Sequence, residues 1–288
     1  MIVDMRLRPP IPEWTDKAQF RKGVEFYPTR VGFPRPPSAE ERSIPLLLQE
    51  MDEAGIRWGV VMGRQSAEPM GVIPNDAIAR FVTEHSDRFV AFVGIDISRD
   101  TEWCIQEIDR CLKLPGFKGV SIEPGASTTP MLCDDERLYP IYERCDHHDV
   151  PISVGLSNYL CYFANAPLQY ASPIPLYQAA RDFPDLDFIV SHAAWPWVRE
   201  LLGVAFVTSN VIVSPDLYFV GTNIPGADEY IKAANMYLSD RTLFGTAYPS
   251  RPLPESVEAF DAWEFEAGVK EKILYKNALR IMKMDESG

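Results

Sequence analysis

Short apolar runs recur along the chain, separated by stretches in which apolar residues return every three or four positions. The runs are residues 2–5 (IVDM), 57–62 (RWGVVM), 89–95 (FVAFVGI), 117–122 (FKGVSI), 150–156 (VPISVGL), 186–191 (LDFIVS), 210–214 (NVIVS) and 241–245 (RTLFG). Brief runs rich in valine, isoleucine and phenylalanine read as strands. The intervening stretches read as helices. Residues 38–54 are amphipathic and stop at Gly55, and Asp134 or Asp135 is placed to cap a helix running to His148. Pro173 and Pro175, followed by residues 178–183, outline another helix. Residues 254–267 form a further candidate with Gly268 as its end cap, and residues 270–282 are again helical in pattern.

Strands that alternate with helices imply βαβ units and a parallel sheet. Eight such units in 288 residues predict an α/β architecture, a single (β/α)8 TIM-barrel domain spanning residues 1–288. A doubly wound open sheet is the alternative, disfavoured because no glycine-rich phosphate loop follows the first run. Residues 9–37 hold seven prolines and predict a long proline-rich loop after the first strand, over the face where barrel sites lie. A second irregular insertion is expected at residues 157–172, rich in tyrosine, asparagine and phenylalanine.

Composition narrows the setting. Hydrophobic residues make up 46% of the chain, enough for one large core. No apolar run approaches the roughly 18 residues of a membrane span. The N-terminus lacks a signal-peptide pattern, because Arg6 and Arg8 fall where an apolar core would begin. A cytoplasmic location is the expectation. The five cysteines include no CxxC pair and read as reduced thiols. A net charge of −13 argues against nucleic acid and anionic membranes as partners. It also makes clustered arginines stand out.

Barrel chemistry sits at the C-terminal ends of the strands. Read in order, those ends supply Asp4, Arg6 and Arg8; then Gly63 and Arg64; Asp96; Glu123; Gly155, Ser157, Asn158 and Tyr159; His192, Trp195 and Trp197; Asp216 and Tyr218; and Thr246, Ala247 and Tyr248. Arg6 and Arg8 lie two apart in an extended stretch and so share a face.

These strand ends resemble the amidohydrolase superfamily, in its amidohydrolase-2 branch with carboxymuconate-semialdehyde decarboxylases and pyrone-dicarboxylate lactonases. IVDMRLRPP is similar to the family's opening strand, where Asp precedes His-x-His; GFKGVSIEP is similar to its fourth strand. FPDLDFIVSHAAWPW resembles the sixth, with a histidine at the tip; RTLFGTAYP resembles the eighth, which normally reads Gly-Ser-Asp-Tyr-Pro; NALRIM resembles the C-terminal helix. The resemblance implies a divalent metal held by the His-x-His pair, a fifth-strand histidine and the eighth-strand aspartate. Here those positions carry Arg6, Arg8, a residue at or near Gly155, and Ala247. Arginine has no lone pair to offer, and glycine and alanine offer no ligand. Only His192 matches, at a position that in the family activates water or assists proton transfer.

Two readings of Arg6 and Arg8 compete: counterions to Asp4, Glu123 or Asp216, or an anion clamp in the vacated metal site. Arginine's planar fork suits bidentate capture of a carboxylate, and Arg64 is expected to converge there, so the clamp is favoured. For His192, a satisfied structural histidine competes with a general base, and the resemblance favours the base. Glu123 and Asp216 are candidate acid/base groups or equally counterions. Asn158, Tyr159, Trp195, Tyr218 and Tyr248 are candidate substrate contacts, with Tyr162 and Trp197 as further pocket aromatics.

The expectation is a metal-independent hydrolase without a cofactor, acting on a small anionic carboxylate substrate (a lactone, amide or ring-cleavage acid). A decarboxylase and a non-catalytic relative are the alternatives. A metal held by Glu123, His192 and Asp216 ranks last. Homo-oligomerisation is compatible with the resemblance and with the aromatic loops.

Overall fold

The computed structural model describes residues 1–20, 33–221 and 223–286. Among these residues seven strands form one parallel sheet in sequential order: β1 (Ile2–Asp4), β2 (Ile56–Met62), β3 (Phe89–Gly94), β4 (Phe117–Ile122), β5 (Ile152–Gly155), β6 (Phe188–Ser191) and β7 (Val211–Ser214). Every neighbouring pair is parallel, so each connection crosses over the sheet, and most crossovers carry helices.

The expected eighth strand is not a regular strand. Residues 241–248 touch the sheet through isolated bridges, Val213 to Thr242 and Leu7 to Tyr248. Backbone bonds still tie the segment to both edges: Leu243 N–H donates to Val213 O at 3.0 Å, and Met5 N–H donates to Phe244 O at 3.0 Å. The sheet therefore curls until β7 and β1 share one connecting segment. Gly245 is required there, since a Cβ would lie 2.8 Å from Asp216 Oδ1.

Alternation along the strands divides the core. Val3, Val60, Met62, Val90, Phe92, Ile189 and Ile212 face one cluster, which the C-terminal residues Ala278, Leu279, Ile281 and Met282 close. Val61, Ala91, Val93, Val120, Val154 and Val190 face the outer cluster beneath the helices. The helices Asn75–Glu84, Thr101–Cys111, Leu176–Asp182, Val198–Val207 and Ala227–Met236 bury their apolar stripes there.

Several element boundaries differ from the sequence expectation. The stretch 38–54 splits into Pro37–Glu40 and Ile44–Glu53, because Ser43 caps the second helix by accepting from Leu46 N. Asp135 caps a 3₁₀ turn, Glu136–Leu138, ahead of the helix Tyr139–His147. The stretch 157–172 is not an irregular insertion. Ser157 caps the helix Asn158–Phe163, and Leu168–Ala171 is a 3₁₀ turn. The helix Leu253–Asp261 ends before the expected point, and Gly268 starts Val269–Glu271 rather than closing it. Of the proline-rich loop 9–37, residues 21–32 lie outside the described residues; within the remainder, Pro12–Thr15 is a short helix. All five cysteines are free and buried. Among the described residues no helix is long and apolar enough to cross a membrane.

Candidate active site

β1 closes at Asp4, but its path continues: Leu7 N–H donates to Val60 O and Arg8 N–H to Tyr248 O. Arg6 and Arg8 thus keep the strand's alternation past its formal end. Asp4 fixes this end to the eighth segment. Its carboxylate accepts from Arg6 N at 3.0 Å, Thr246 N at 3.0 Å and Thr246 Oγ1 at 2.6 Å. Burial pushes its pKa up to about 6 against the pull of those bonds.

Glu123, at the end of β4, is the anionic hub. Arg64 grips it with two parallel bonds, Nη2 to Oε1 at 2.7 Å and Nε to Oε2 at 3.0 Å. Arg6 Nη2 reaches Oε1 at 2.8 Å, and Ser66 Oγ donates to Oε2 at 2.5 Å. Burial pushes Glu123 toward the neutral form. The Arg64 and Arg6 charges and these bonds overcome it and hold the carboxyl well below the usual range. A side chain at position 155 has little room, since a Cβ there would meet Glu123 Cγ at 3.0 Å and Leu160 Cδ1 at 3.3 Å.

Arg8 is arranged differently. It is 3% exposed, its Nη1 donates to Ala247 O at 3.1 Å and Tyr248 O at 3.3 Å, and its guanidinium lies 5.9 Å from the Trp14 ring. Among the described residues no carboxylate pairs with it. Burial, and then the Arg64 and Arg6 charges, push its pKa well down. A buried cation without an anionic partner is costly.

His192 ends β6 at φ 65°, the first of three left-handed residues with Ala193 at 42° and Ala194 at 53°. That backbone strain is fixed by Asp216, whose Oδ2 accepts from His192 N at 2.9 Å. The same oxygen lies 3.2 Å from His192 Nδ1, off the line of a strong hydrogen bond. Ser214 Oγ donates to Oδ1 at 2.7 Å. Burial, and next the Arg6 charge, lower the His192 pKa to about 4, with Asp216 opposing them. The Asp216 pKa lies below the ordinary carboxylate value despite its burial, with the adjoining His192 side chain, the Arg6 charge and the Ser214 bond offsetting the desolvation. The imidazole is thus neutral near pH 7, with Nδ1 toward a carboxylate and Nε2 left for the cavity.

The cavity is walled by Arg8, Arg64, His192, Tyr159 and Tyr218 on its polar side and by Met70, Leu160 and Leu217 on its apolar side. It holds about 20 Å³, room for a water molecule. Ala247 also lines it, where the resemblance implies an aspartate.

Other sequence candidates lie outside this wall. Arg6 sits behind Arg64, on Glu123, with its Nε 3.9 Å from Asp216 Oδ2. Tyr248 turns away, and its hydroxyl lies 2.7 Å from Ser38 Oγ. Trp195 stacks on the far side of Tyr218, 4.9 Å between ring centres, and donates to Pro225 O. Asn158 starts its helix with N–H toward Trp195 O, Tyr162 is 70% exposed, and Asp96 folds back onto Ser98. Sequence reading missed Ser66, although the two-residue alternation from Arg64 pointed to it. It also missed Gln19, Met70 and Ser250, which carried no pattern.

The divalent metal that the resemblance implies does not fit this donor set. The first-strand ligand positions are buried guanidiniums, and both Glu123 oxygens already accept from Arg6, Arg64 and Ser66. A dication there would meet three positive charges at close range. Among the described residues no three histidine, cysteine, aspartate or glutamate side chains come together as a ligand group, so the Glu123–His192–Asp216 alternative does not form.

Residues 17–283 match the model of the Amidohydrolase family. An uncharacterized TIM-barrel protein from Bordetella bronchiseptica superposes with a TM-score of 0.90 at 36% identity, over 98% of both chains. A dihydroxybenzoic acid decarboxylase from Polaromonas sp. JS666, solved with bound manganese and 2-nitroresorcinol, superposes with a TM-score of 0.70 over 98% of this chain and 96% of that one. At 17% identity that likeness is one of fold. A 2-amino-3-carboxymuconate-6-semialdehyde decarboxylase of Dictyostelium discoideum is 30% identical over 99 residues, 34% of this chain and 27% of that protein.

Proposed function

The chain belongs to the amidohydrolase family, and we propose that it is an enzyme in which His192 acts as a general base, without a metal, on a small substrate carrying a carboxylate. One observation carries this reading: a neutral histidine backed by Asp216 opens onto the same cavity as Arg8, a buried cation with no carboxylate partner among the described residues.

In this reading Arg8 holds the substrate carboxylate. His192 Nε2 takes a proton from water, and the hydroxide adds to the carbonyl carbon of a cyclic ester or amide. The carbonyl electrons move onto oxygen, where Arg64 Nη1, a buried donor with no partner among the described residues, stabilises the oxyanion. Collapse of that adduct breaks the ring C–O or C–N bond, and His192 returns its proton to the leaving atom. Asp216 holds the imidazole tautomer and stabilises the transient cation.

Decarboxylation is the second reading, favoured by the decarboxylases among the similar proteins. There the C–C bond breaks, CO2 leaves, and the electron pair on carbon takes up a proton. A histidine with a pKa of about 4 holds almost no proton near neutrality and is also a weak base; hydrolysis draws the proton it returns from the attacking water, whereas decarboxylation needs one already in place. A guanidinium on the departing carboxylate also stabilises the ground state more than the transition state. We therefore rank hydrolysis first.

The test is turnover of a panel of carboxylated lactones, cyclic amides and unsaturated acids by wild type and His192→Gln. Ring opening that falls about 100-fold or more in the variant supports the base. CO2 release instead supports the second reading. Binding of acids without turnover makes the protein a non-catalytic relative.

A further inference from the structure

Gln19 is 6% exposed and lines the cavity beside Arg8. Its amide Nε2 contacts Met70 Sδ at 3.2 Å, and its Oε1 is buried without a hydrogen-bond partner among the described residues. Thioether sulfur is a weak acceptor, so one end of this amide is poorly served and the other not at all. The amide is placed with its nitrogen toward the sulfur, because the reverse placement would set the oxygen against an atom that offers no hydrogen; the open atom is therefore the acceptor. Its backbone is held in place: Ala18 N–H donates to Pro69 O and Phe20 N–H to Lys17 O. Ala18, Met70, Ala126 and Leu160 form an apolar cluster around it. A glutamine that lines the cavity and carries a buried acceptor without a partner among the described residues is placed to read a polar group on a ligand.

We propose that Gln19 is a specificity-determining residue that accepts a hydrogen bond from a hydroxyl of the substrate, so that the substrate is a hydroxylated carboxylic acid or its cyclic ester rather than a simple acid. This rests on the proposed function, in which Arg8 binds the carboxylate. A site built around a hydroxyl rejects the analogue that lacks it more strongly than an apolar pocket rejects an extra methylene, because the buried acceptor is left unpaired.

The experiment compares binding of matched acids by calorimetry: lactate against propionate, mandelate against phenylacetate, and salicylate against benzoate. Wild type, Gln19→Leu and Gln19→Met are each measured, with melting temperature as the control for folding. The expected result is that wild type binds at least one hydroxylated acid about 10-fold or more tighter than its partner. In both variants that ratio falls toward unity while the simple acid binds as before. Acids that bind with no hydroxyl preference, or a preference that survives in both variants, overturn this role for Gln19 and leave the carboxylate reading standing. Acids that bind to none of the three proteins overturn the carboxylate reading and this inference together.

Discussion

Arg64 clasps Glu123 with two parallel hydrogen bonds, at 2.7 and 3.0 Å, at the centre of a fully buried charge cluster. Arg6 shares the Oε1 atom from the other side. Removing the hub strands two guanidiniums in a dry interior. Glu123→Gln is expected to lower stability by about 3–5 kcal/mol, read as a drop in the urea midpoint. The folded pKa of Glu123 lies below its ordinary value of 4.5. Its contribution is therefore present above that value and is lost as pH falls through the folded pKa. The variant should lose stability less steeply than wild type under strong acid. An unchanged midpoint at pH 7 would show that the cluster is not the anchor.

Arg8 is the counterpart, a buried cation held by carbonyl oxygens alone among the described residues. Arg8→Met should leave stability unchanged or raise it by about 1 kcal/mol. The same change should abolish binding of small carboxylic acids. Loss of both stability and binding would make Arg8 a structural residue.

Asp4 and His192 titrate in opposition. Asp4 is raised from 3.8 to about 6, so the folded state holds its proton in that window and stability falls as pH rises through it. His192 is lowered from 6.5 to about 4, so the unfolded state binds the proton and stability rises with pH across that range. In wild type the two slopes offset each other. Asp4→Asn should therefore make stability climb with pH between about 4 and 6, whereas His192→Gln should make it decline there. Parallel pH–stability curves for both variants would refute these assignments. The acid limb of any activity should have its midpoint near pH 4.

Ala247 stands where the resemblance implies a metal-binding aspartate, and its carbonyl accepts from Arg8. Ala247→Asp should recruit no manganese, because Arg6, Arg8 and Arg64 remain. The new carboxylate should instead pair with Arg8 and weaken acid binding about 10-fold or more. Manganese uptake by this variant, seen by elemental analysis after desalting, would show that the guanidiniums do not exclude a dication.

The strand pattern exposed seven of the eight sheet positions, because runs buried on both faces are dense in valine, isoleucine and phenylalanine. The eighth was misjudged because RTLFG carries the composition of a strand, while its pairing is broken by Gly245 and by the left-handed Ala247 at φ 59°. At the site, position along the strands revealed which charged residues gather at one end, but not how they pair. Arg6 and Arg8 look equivalent in sequence. Glu123 takes Arg6 and leaves Arg8 to the cavity, a choice set by distances across strands. Gln19 and Met70 were invisible because neither lies at a strand end and neither has a periodic neighbour. Tyr248 was misplaced because the backbone turn at Ala247 sends its ring toward Ser38.

The most direct measurement is a crystal structure of the protein equilibrated with both manganese and a small hydroxylated acid such as lactate. The expected result is a carboxylate on the Arg8 guanidinium at about 3 Å, beside His192, with no metal at the strand ends. Manganese bound among Asp4, His192 and Asp216, with Arg6 and Arg8 displaced, would contradict a site organised for an anion.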